Sequence, residues 1–404
     1  LLAQIKRMQI LIIANKVPYP PKDGGSIATL TLARNFVRLG HEVHILAMNT
    51  SKHYFRLDKL PLELSRSIKF IGVDTPAPIT VWGAFRNLLF SSKAYIAERF
   101  YTEAFRLKIV EILDENNYDI IQLEGSYMGM YMASIRAHSS AKVAMRAHNL
   151  EFEIWARTAQ NSGIFKKFYF RNLSQRIKKL EKAQLNSYDA LIPITERDAQ
   201  ILRQMGCKIP VHVTPTGTDI EESKIDQSRM DYPSLYHIGA LDWPPNQEGL
   251  LWFLRKVWPL VLSEMPDLKF YVAGRNAPDH FKRLKTKNLV FLGEVDDAVD
   301  FINSKAVGVV PLLSGSGMRI KIVEGMALGK AQITTTIGAE GNPARDGHEL
   351  MIADTPEAFT AKLLQLVQNR ELFDQMGKNA FQFVQKEFDN TKITQSLIEF
   401  YQNL

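Results

Sequence analysis

Arg319, Lys321 and Glu324 follow closely on two glycines, Gly315 and Gly317. Cations beside an open backbone loop suit a phosphate, and a carboxylate one turn further on can accept from a pair of sugar hydroxyls. The run Ala306 to Gly341 that holds them reads as strand, glycine loop, helix, glycine stop, strand. Ala306 to Val310 is an apolar run suited to a strand buried on both faces. The helical stretch runs from Arg319 to Leu328, and Gly329 stands where a C-terminal stop belongs. Such a joint aims unpaired N–H groups and a positive dipole end at one spot. Phosphate and sugar recognised side by side point to a nucleotide or sugar nucleotide. The same joint also occurs in doubly wound domains that bind nothing; the two cations and Glu324 favour binding. The chain has no G-x-x-x-x-G-K-[ST] run, which argues against a Walker-type ATPase.

Other candidates lie at the ends of expected strands. His148 follows the strand Lys142 to Arg146, where it could donate to a sugar hydroxyl or a developing oxyanion, or simply cap the core edge. Asn149 and Glu151 come next and can be read as the start of a helix. Glu124 and Gly125 end the strand Asp119 to Leu123; Glu124 reads more readily as a solvated loop carboxylate than as a group that orients an acceptor. Thr216, Gly217, Thr218 and Asp219 read as hinge geometry. Arg275 follows the strand Leu268 to Ala273 and is either a phosphate or base contact or a surface arginine.

The elements that must position these residues alternate. Met8 to Ala14 is a buried strand, Asn15 to Gly25 a loop dense in proline and glycine, and Ser26 to Leu39 a helix with Ser26 as N-cap and Gly40 as its stop. Glu42 to Ala47 is the next strand, so the unit is a right-handed βαβ with parallel strands. Ile68 to Val73, Ala190 to Ile194 and Val211 to Thr214 read as further strands. Thr102 to Glu115 and Leu150 to Ala159 read as helices, and Thr195 caps another that runs to Met205. Between Pro215 and Pro233 the periodicity is lost. Alternation then restarts with Ser234 to Ile238, a helix from Gln247 to Glu264, strands at Leu268 to Ala273, Leu289 to Leu292 and Val307 to Val310, and helices from Pro356 to Gln368, Glu371 to Phe388 and Thr391 to Gln402. The expected fold is α/β: two tandem Rossmann-like doubly wound parallel-sheet domains, residues 8–215 and 216–390, with a cleft between them. A C-terminal helix, 391–404, is expected to pack back on the first domain. Gly24 and Gly25 would open onto that cleft from one side, and Leu312 to Met318 from the other.

The 404 residues are 46% hydrophobic and 23% charged, enough for two or three well-filled domains. A single cysteine, Cys207, excludes an internal disulfide and a cysteine metal cluster and points to a reducing compartment. The nine histidines show no metal-ligand spacing. No run reaches membrane-spanning length and no secretory signal is legible. Met8 reads as a natural start, with Leu1 to Arg7 foreign to it. The expected location is cytoplasmic, with a peripheral place on the inner face of the plasma membrane as the further reading. The net charge of +7 admits nucleic acid, an anionic membrane or phosphorylated small molecules as partners. Residues 161–185 concentrate it: Lys166, Lys167, Arg171, Arg176, Lys178, Lys179 and Lys182 stand against Glu181 alone, interleaved with aromatic residues. That stretch reads either as a helix packed on its own domain or as one that touches an anionic membrane. No nucleic-acid-binding signature is present.

At this point the ordered set of features resembles the retaining glycosyltransferases of the GT-B fold, and within them the large family four. The likeness rests on the Gly24-Gly25 loop, His148 in RAHN, TPTGTD from Thr214 to Asp219, YVAGRNAP around Gly274, FLGEVDD around Gly293, and EGMALGK carrying Glu324; it spans the chain from Met8 onward. The resemblance implies that Glu324 binds the ribose hydroxyls. Gly24 and Gly25 would face the donor phosphate or the acceptor, and His148 would contact the transferred sugar and assist at the reacting centre. Glu294 and Val295 would lie near the base, and Ser316, Gly317 and Met318 would complete the donor loop. It further implies transfer with retention and no metal or other cofactor: cations and helix N–H groups stabilise the departing diphosphate. The acceptor would be a glycan or a lipid-linked intermediate, as in surface polysaccharide synthesis. Two departures stand out. Ser316 occupies the first glutamate position of the family's E-x7-E signature. Gly239-Ala240 and Glu248-Gly249 replace the family's usual early basic residues, and Arg319 and Lys321 are placed to substitute for them. Two alternatives stand beside this reading: a sugar-nucleotide epimerase on the same fold, for which Glu124 and Glu340 are the candidate carboxylates, and, motivated by the departures, a non-catalytic nucleotide- or glycan-binding protein.

Overall fold

The buried runs pair as strands in a computed structural model that describes residues 6–78, 80–160, 162–221, 224–284, 286–315 and 317–404. The chain divides into two compact units, Leu1–Pro215 with Asn390–Leu404, and Thr216–Asp389. In the first, β1 (Gln9–Ala14), β2 (Glu42–Asn49), β3 (Lys69–Asp74), β4 (Ile120–Glu124), β5 (Lys142–Ala147) and β6 (Ala190–Pro193) form one sheet in the order β3-β2-β1-β4-β5-β6. Every pairing is parallel. The second unit holds β7 (Asp231–Ile238), β8 (Phe270–Ala273), β9 (Leu289–Gly293), β10 (Lys305–Val310), β11 (Gln332–Thr334) and β12 (Met351–Ile352), ordered β12-β11-β10-β7-β8-β9. Read from its other end, that order matches the first sheet. Each sheet reverses direction of winding at one point, between β1 and β4 and between β7 and β10. Crevices that take ligands form at such points, beyond the strands' C-terminal ends.

Strand periodicity explains the layers. Along β1, Leu11 and Ile13 enter one core while Ile10, Ile12 and Ala14 enter the core on the opposite face. Both faces are covered by helices, so the strands read as continuous apolar runs. The C-terminal helix Asn390–Gln402 belongs to the first unit and places Leu397, Ile398 and Tyr401 in the same core as Phe36 of the first helix. In the second unit, Val307 and Val309 of β10 enter the main core, while Val310 packs with Ile322, Val323 and Met326 of the helix Ile320–Ala327.

Several expected boundaries move. The first helix spans Gly24–Arg38, and its cap is Asp23, whose carboxylate accepts from Ser26 N–H. Gly24 and Gly25 therefore form a helical first turn rather than a loop, because an aspartate cap three residues earlier outcompetes Ser26. The expected strand Val211 to Thr214 reduces to one bridge, Leu191 with Val211. The helix expected from Gln247 begins at Pro244, since proline is favoured in a first turn, and widens into a π turn at Phe253–Val257 ahead of Trp258–Glu264. The stretch between β3 and Thr102 carries a helix, Val81–Phe90, that no element was assigned to from sequence. Its Trp82, Phe85, Leu89 spacing was the available signal. The basic helix Ile164–Gln184 buries Leu173 and Ile177 in the first core and leaves Lys178, Lys179 and Lys182 at the surface. Among the described residues no helix is long and apolar enough to cross a membrane.

Candidate functional site

In the first unit a pocket of about 290 Å3 opens at the β1/β4 reversal. The loop after β1 supplies Asn15 and Lys16, the start of the first helix supplies Asp23, Gly25 and Thr29, and the turns after β4 and β5 supply Gly125, Tyr127, His148, Asn149 and Glu151. Lys16 Nζ stands 2.6 Å from Asp23 Oδ1, which ties the loop after β1 to the helix start. Gly125 lies at φ +90°, a turn that only glycine takes without strain, so the chain leaves β4 sharply.

Glu124 ends β4 and is 4% exposed, so the expectation of a solvated loop carboxylate is overturned. Its Oε2 is hydrogen-bonded to His148 Nε2 and accepts from Thr29 Oγ1 at 2.7 Å. Its Oε1 accepts from Gln122 Nε2, and Gln122 Oε1 in turn accepts from Tyr401 Oη at 2.7 Å. Burial opposes ionisation of Glu124, but the charge and hydrogen bond of His148, then Arg146 and Thr29, pull its carboxyl down to about 2. An ionised carboxylate only accepts, so the proton between the two groups belongs to His148 Nε2. That leaves His148 Nδ1 as the ring's variable atom. It is buried and has no hydrogen-bond partner among the described residues. Below it, Tyr127 Oη donates to Glu151 Oε2 at 2.9 Å, and burial pushes the Glu151 carboxyl up. Two carboxylates of opposite protonation tendency thus line the same pocket as the histidine.

In the second unit the loop after β10 leads through Gly315 and Gly317, at φ +108° and +79°, to the helix Ile320–Ala327. Arg319 stands at the N-cap position, and among the described residues no side chain caps that helix. The Arg319 guanidinium lies 5.7 Å from the centre of the Trp243 ring, a cation–π contact that fixes its plane. Lys321 Nζ donates to Asn246 Oδ1 at 2.8 Å, and Asn246 Nδ2 holds Ala240 O at 2.7 Å. A β-carbon on Gly239 would stand 2.6 Å from Lys321 Nζ, so the missing side chain there is what admits the ammonium. Burial, reinforced by Arg319 and opposed by Glu324, lowers Lys321 to about 7. No ion pair reaches it among the described residues. Its neighbour His237 is 1% exposed, gives Nδ1 to Val309 O at 2.9 Å and is lowered to about 3 by burial and by Lys321. Glu324 follows one turn on, with its side chain exposed.

The remaining sequence candidates fall on the same C-terminal edge or away from it. Arg275 and Glu294 follow β8 and β9, up to three strand spacings from β10, or roughly 14 Å. Glu294 is exposed, while Val295 packs against Tyr236, Ala273 and Phe301. Met318 is half-buried against the core behind the helix Ile320–Ala327, so its side chain is occupied in packing. Gly317 contributes its backbone. Ser316 lies outside the described residues. Thr218 pairs with the chain at Phe388 and Asp389, which accords with a structural role for that turn. The sequence places the Trp243-Pro244-Pro245-Asn246 turn near the same loop as Arg319 and Lys321 without giving it a role, and it gives His237 none; the contacts of Trp243 and Asn246 come only with the fold. Among the described residues no three His, Cys, Asp or Glu side chains are gathered as a metal site.

Residues 22–222 match the sequence pattern of Glycosyltransferase Family 4, and residues 232–369 that of Glycosyl transferases group 1. An uncharacterized 44.6 kDa protein in the cps region of Klebsiella pneumoniae is 24% identical over 97% of this chain and 99% of its own length. A phosphatidyl-myo-inositol mannosyltransferase of Mycolicibacterium smegmatis is 28% identical over 39% of this chain and 43% of its own. Among solved structures, Anabaena Alr3699/HepE in complex with UDP and glucose superposes with a TM-score of 0.68 at 14% identity, covering 98% of this chain and all of that one (100%). Sucrose-phosphate synthase from Thermosynechococcus elongatus gives 0.71 at 16% identity, covering 98% and 99%.

Proposed function

Because this chain belongs to the group 1, family four glycosyltransferases of the GT-B fold, we propose that it moves a sugar from a nucleotide-sugar donor to a glycan or lipid-linked acceptor with retention of configuration. The observation that carries the donor half is Lys321. An ammonium that is densely enclosed, bonded to a neutral amide and without a carboxylate partner among the described residues is costly unless an anion arrives. It stands at the β7/β10 reversal beside Arg319 and a helix start that no described side chain caps, which is where a diphosphate is best received. Arg319, Lys321 and the first-turn amides then stabilise charge on the departing diphosphate, the work a divalent ion does elsewhere, so the reaction proceeds without a metal. Glu324 accepts from the ribose hydroxyls, and Arg275, Glu294 and Val295 border the base.

His148 serves the sugar. With Nε2–H held by Glu124, the ring is oriented in the pocket wall, where it meets the reacting sugar; Glu124 is its positioning residue. The relatives named for UDP or for a cps region support a nucleotide sugar and a surface glycan as substrates. The leaving diphosphate serves as the base on the face of attack, which needs no further carboxylate.

The test is release of nucleoside diphosphate from a panel of uridine, guanosine and adenosine diphosphate sugars, with the product anomer read by NMR. Lys321→Ala and His148→Ala should each lower turnover by on the order of 10²–10³ in protein that circular dichroism shows to be folded. Wild-type turnover in Lys321→Ala would remove the donor assignment, and an inverted product would remove retention.

A further inference from the structure

The helix Val81–Phe90 is built inside out. Its apolar residues at i, i+3, i+7 and i+8 face water: Trp82 is 73% exposed, Phe85 50%, Leu89 58% and Phe90 82%. Its inward face is built around Asn87, with Ala84 and Leu88 half-buried beside it. Asn87 is buried, donates to Glu98 Oε2 at 2.6 Å and accepts from Arg176 Nη1 at 3.1 Å. A soluble helix normally does the reverse, so the exposed stripe awaits an apolar partner.

The basic helix Ile164–Gln184 meets this helix through Arg176. Arg176 Nη2 donates to Leu88 O at 3.0 Å near one end of the contact. At the start of the helix Val81–Phe90, Tyr95 Oη accepts from Thr80 N–H. Arg176 of the basic helix thus holds the C-terminal end of Val81–Phe90, and on that same basic helix Phe168 and Ile164, exposed by 70% and 85%, offer further apolar surface. Arg86, Lys93, Lys166 and Arg171 are exposed around it. Val81–Phe90 has no acid in its sequence, and the single acid of Ile164–Gln184, Glu181, is buried.

We propose that this face, Trp82, Phe85, Leu89 and Phe90 with Ile164 and Phe168, docks on an anionic lipid bilayer. Aromatic side chains enter the headgroup boundary, and the surrounding lysines and arginines meet anionic headgroups. Charge selects this occupant. A second copy of the chain meeting the same face would bring Arg86, Lys93, Lys166 and Arg171 against their own counterparts. The face lies wholly within the first unit, and docking is read without any sugar transfer, so its failure and that of the transferase reading are separable.

The test is co-sedimentation of the full chain with phosphatidylcholine vesicles, with and without phosphatidylglycerol, at low and high salt. The expected result is binding to the anionic vesicles, weakened by salt and accompanied by a blue shift of tryptophan emission. Trp82→Ser with Phe90→Ser, and separately Lys166→Glu with Arg171→Glu, should each weaken it by about tenfold or more, with unfolding temperature and soluble-donor hydrolysis unchanged. All these side chains are exposed, so the variants should fold. A wild type that stays in the supernatant, equal binding to neutral vesicles, or variants that bind as wild type would overturn the proposal. So would a dimer seen by sedimentation velocity that Trp82→Ser dissolves.

Discussion

Lys321 shows how much one residue's chemistry depends on where its end group lies. An exposed lysine at this helix start would be a point charge in water. Enclosed against Gly239 and Asn246, it is lowered to about 7 from an ordinary 10.5. Between those values the unfolded chain holds the extra proton, so this residue's contribution to stability is unfavourable below about 7 and improves as pH rises towards 10.5. A bound diphosphate works in the opposite direction, because its charge favours the ammonium. Below about 7 the lysine is already protonated and binding takes up no proton through it. Above that value binding should draw a proton from buffer, and nucleotide affinity should fall as pH rises. Calorimetry in buffers of different ionisation enthalpy reads that uptake directly. Lys321→Arg, charged throughout, should take up none; the same uptake in wild type and variant would show that another group titrates. His148 was placed at a strand end from sequence, but its partner was misjudged. Glu124 looked like a loop acid because it stands next to glycine, and only the packing of Thr29 and His148 over it shows it to be buried.

Elements position these residues through close backbone approaches. The helix Pro244–Trp252 carries Asn246 and begins beside Trp243, so its depth sets where both cations lie. That depth is set by Gly249. A β-carbon there would stand 1.9 Å from Pro311 O, in the backbone that leads from β10 into the glycine loop. Neither partner is a flexible side-chain end, so the helix must retreat. Gly249→Ala should destabilise the protein by about 1–3 kcal/mol, as overpacking does. It should weaken nucleoside diphosphate binding as well, by moving Asn246 away from Lys321. Thermal unfolding and titration of the diphosphate check both; unchanged affinity in a destabilised variant would mean that the cradle does not depend on this helix. Beside Gly249, Glu248 accepts from Ser314 Oγ at 2.6 Å and so braces the same loop where a family basic residue was expected. The departure at Gly239 has a clearer meaning: the missing side chain is the space that the relocated ammonium fills.

At the scale of the whole molecule, the segment Asn390–Leu404 belongs to the first unit. Asn390–Gln402 brings Leu397, Ile398 and Tyr401 into the core around β1 and the first helix, and Tyr401 closes the hydrogen-bonded line through Gln122 to Glu124. Full burial of such side chains is worth roughly 1.5–3 kcal/mol each. Three of them approach the total stability of an ordinary domain, about 5–15 kcal/mol. A chain ending at Asp389 should therefore lose the first unit, seen as rapid proteolysis of residues before 215. A truncated protein with the wild-type unfolding temperature would refute this. The alternation of strand and helix, the doubly wound class and the glycine stops were legible in the sequence, because each depends on residues within a turn or two of one another. Burial of Glu124, the meeting of Lys321 with Gly239 and Asn246, and the outward turn of Trp82 were not. Desolvation and Coulomb energy depend on distance through space. Lys321 and Asn246 are 75 residues apart along the chain, so only the folded sheet brings them together.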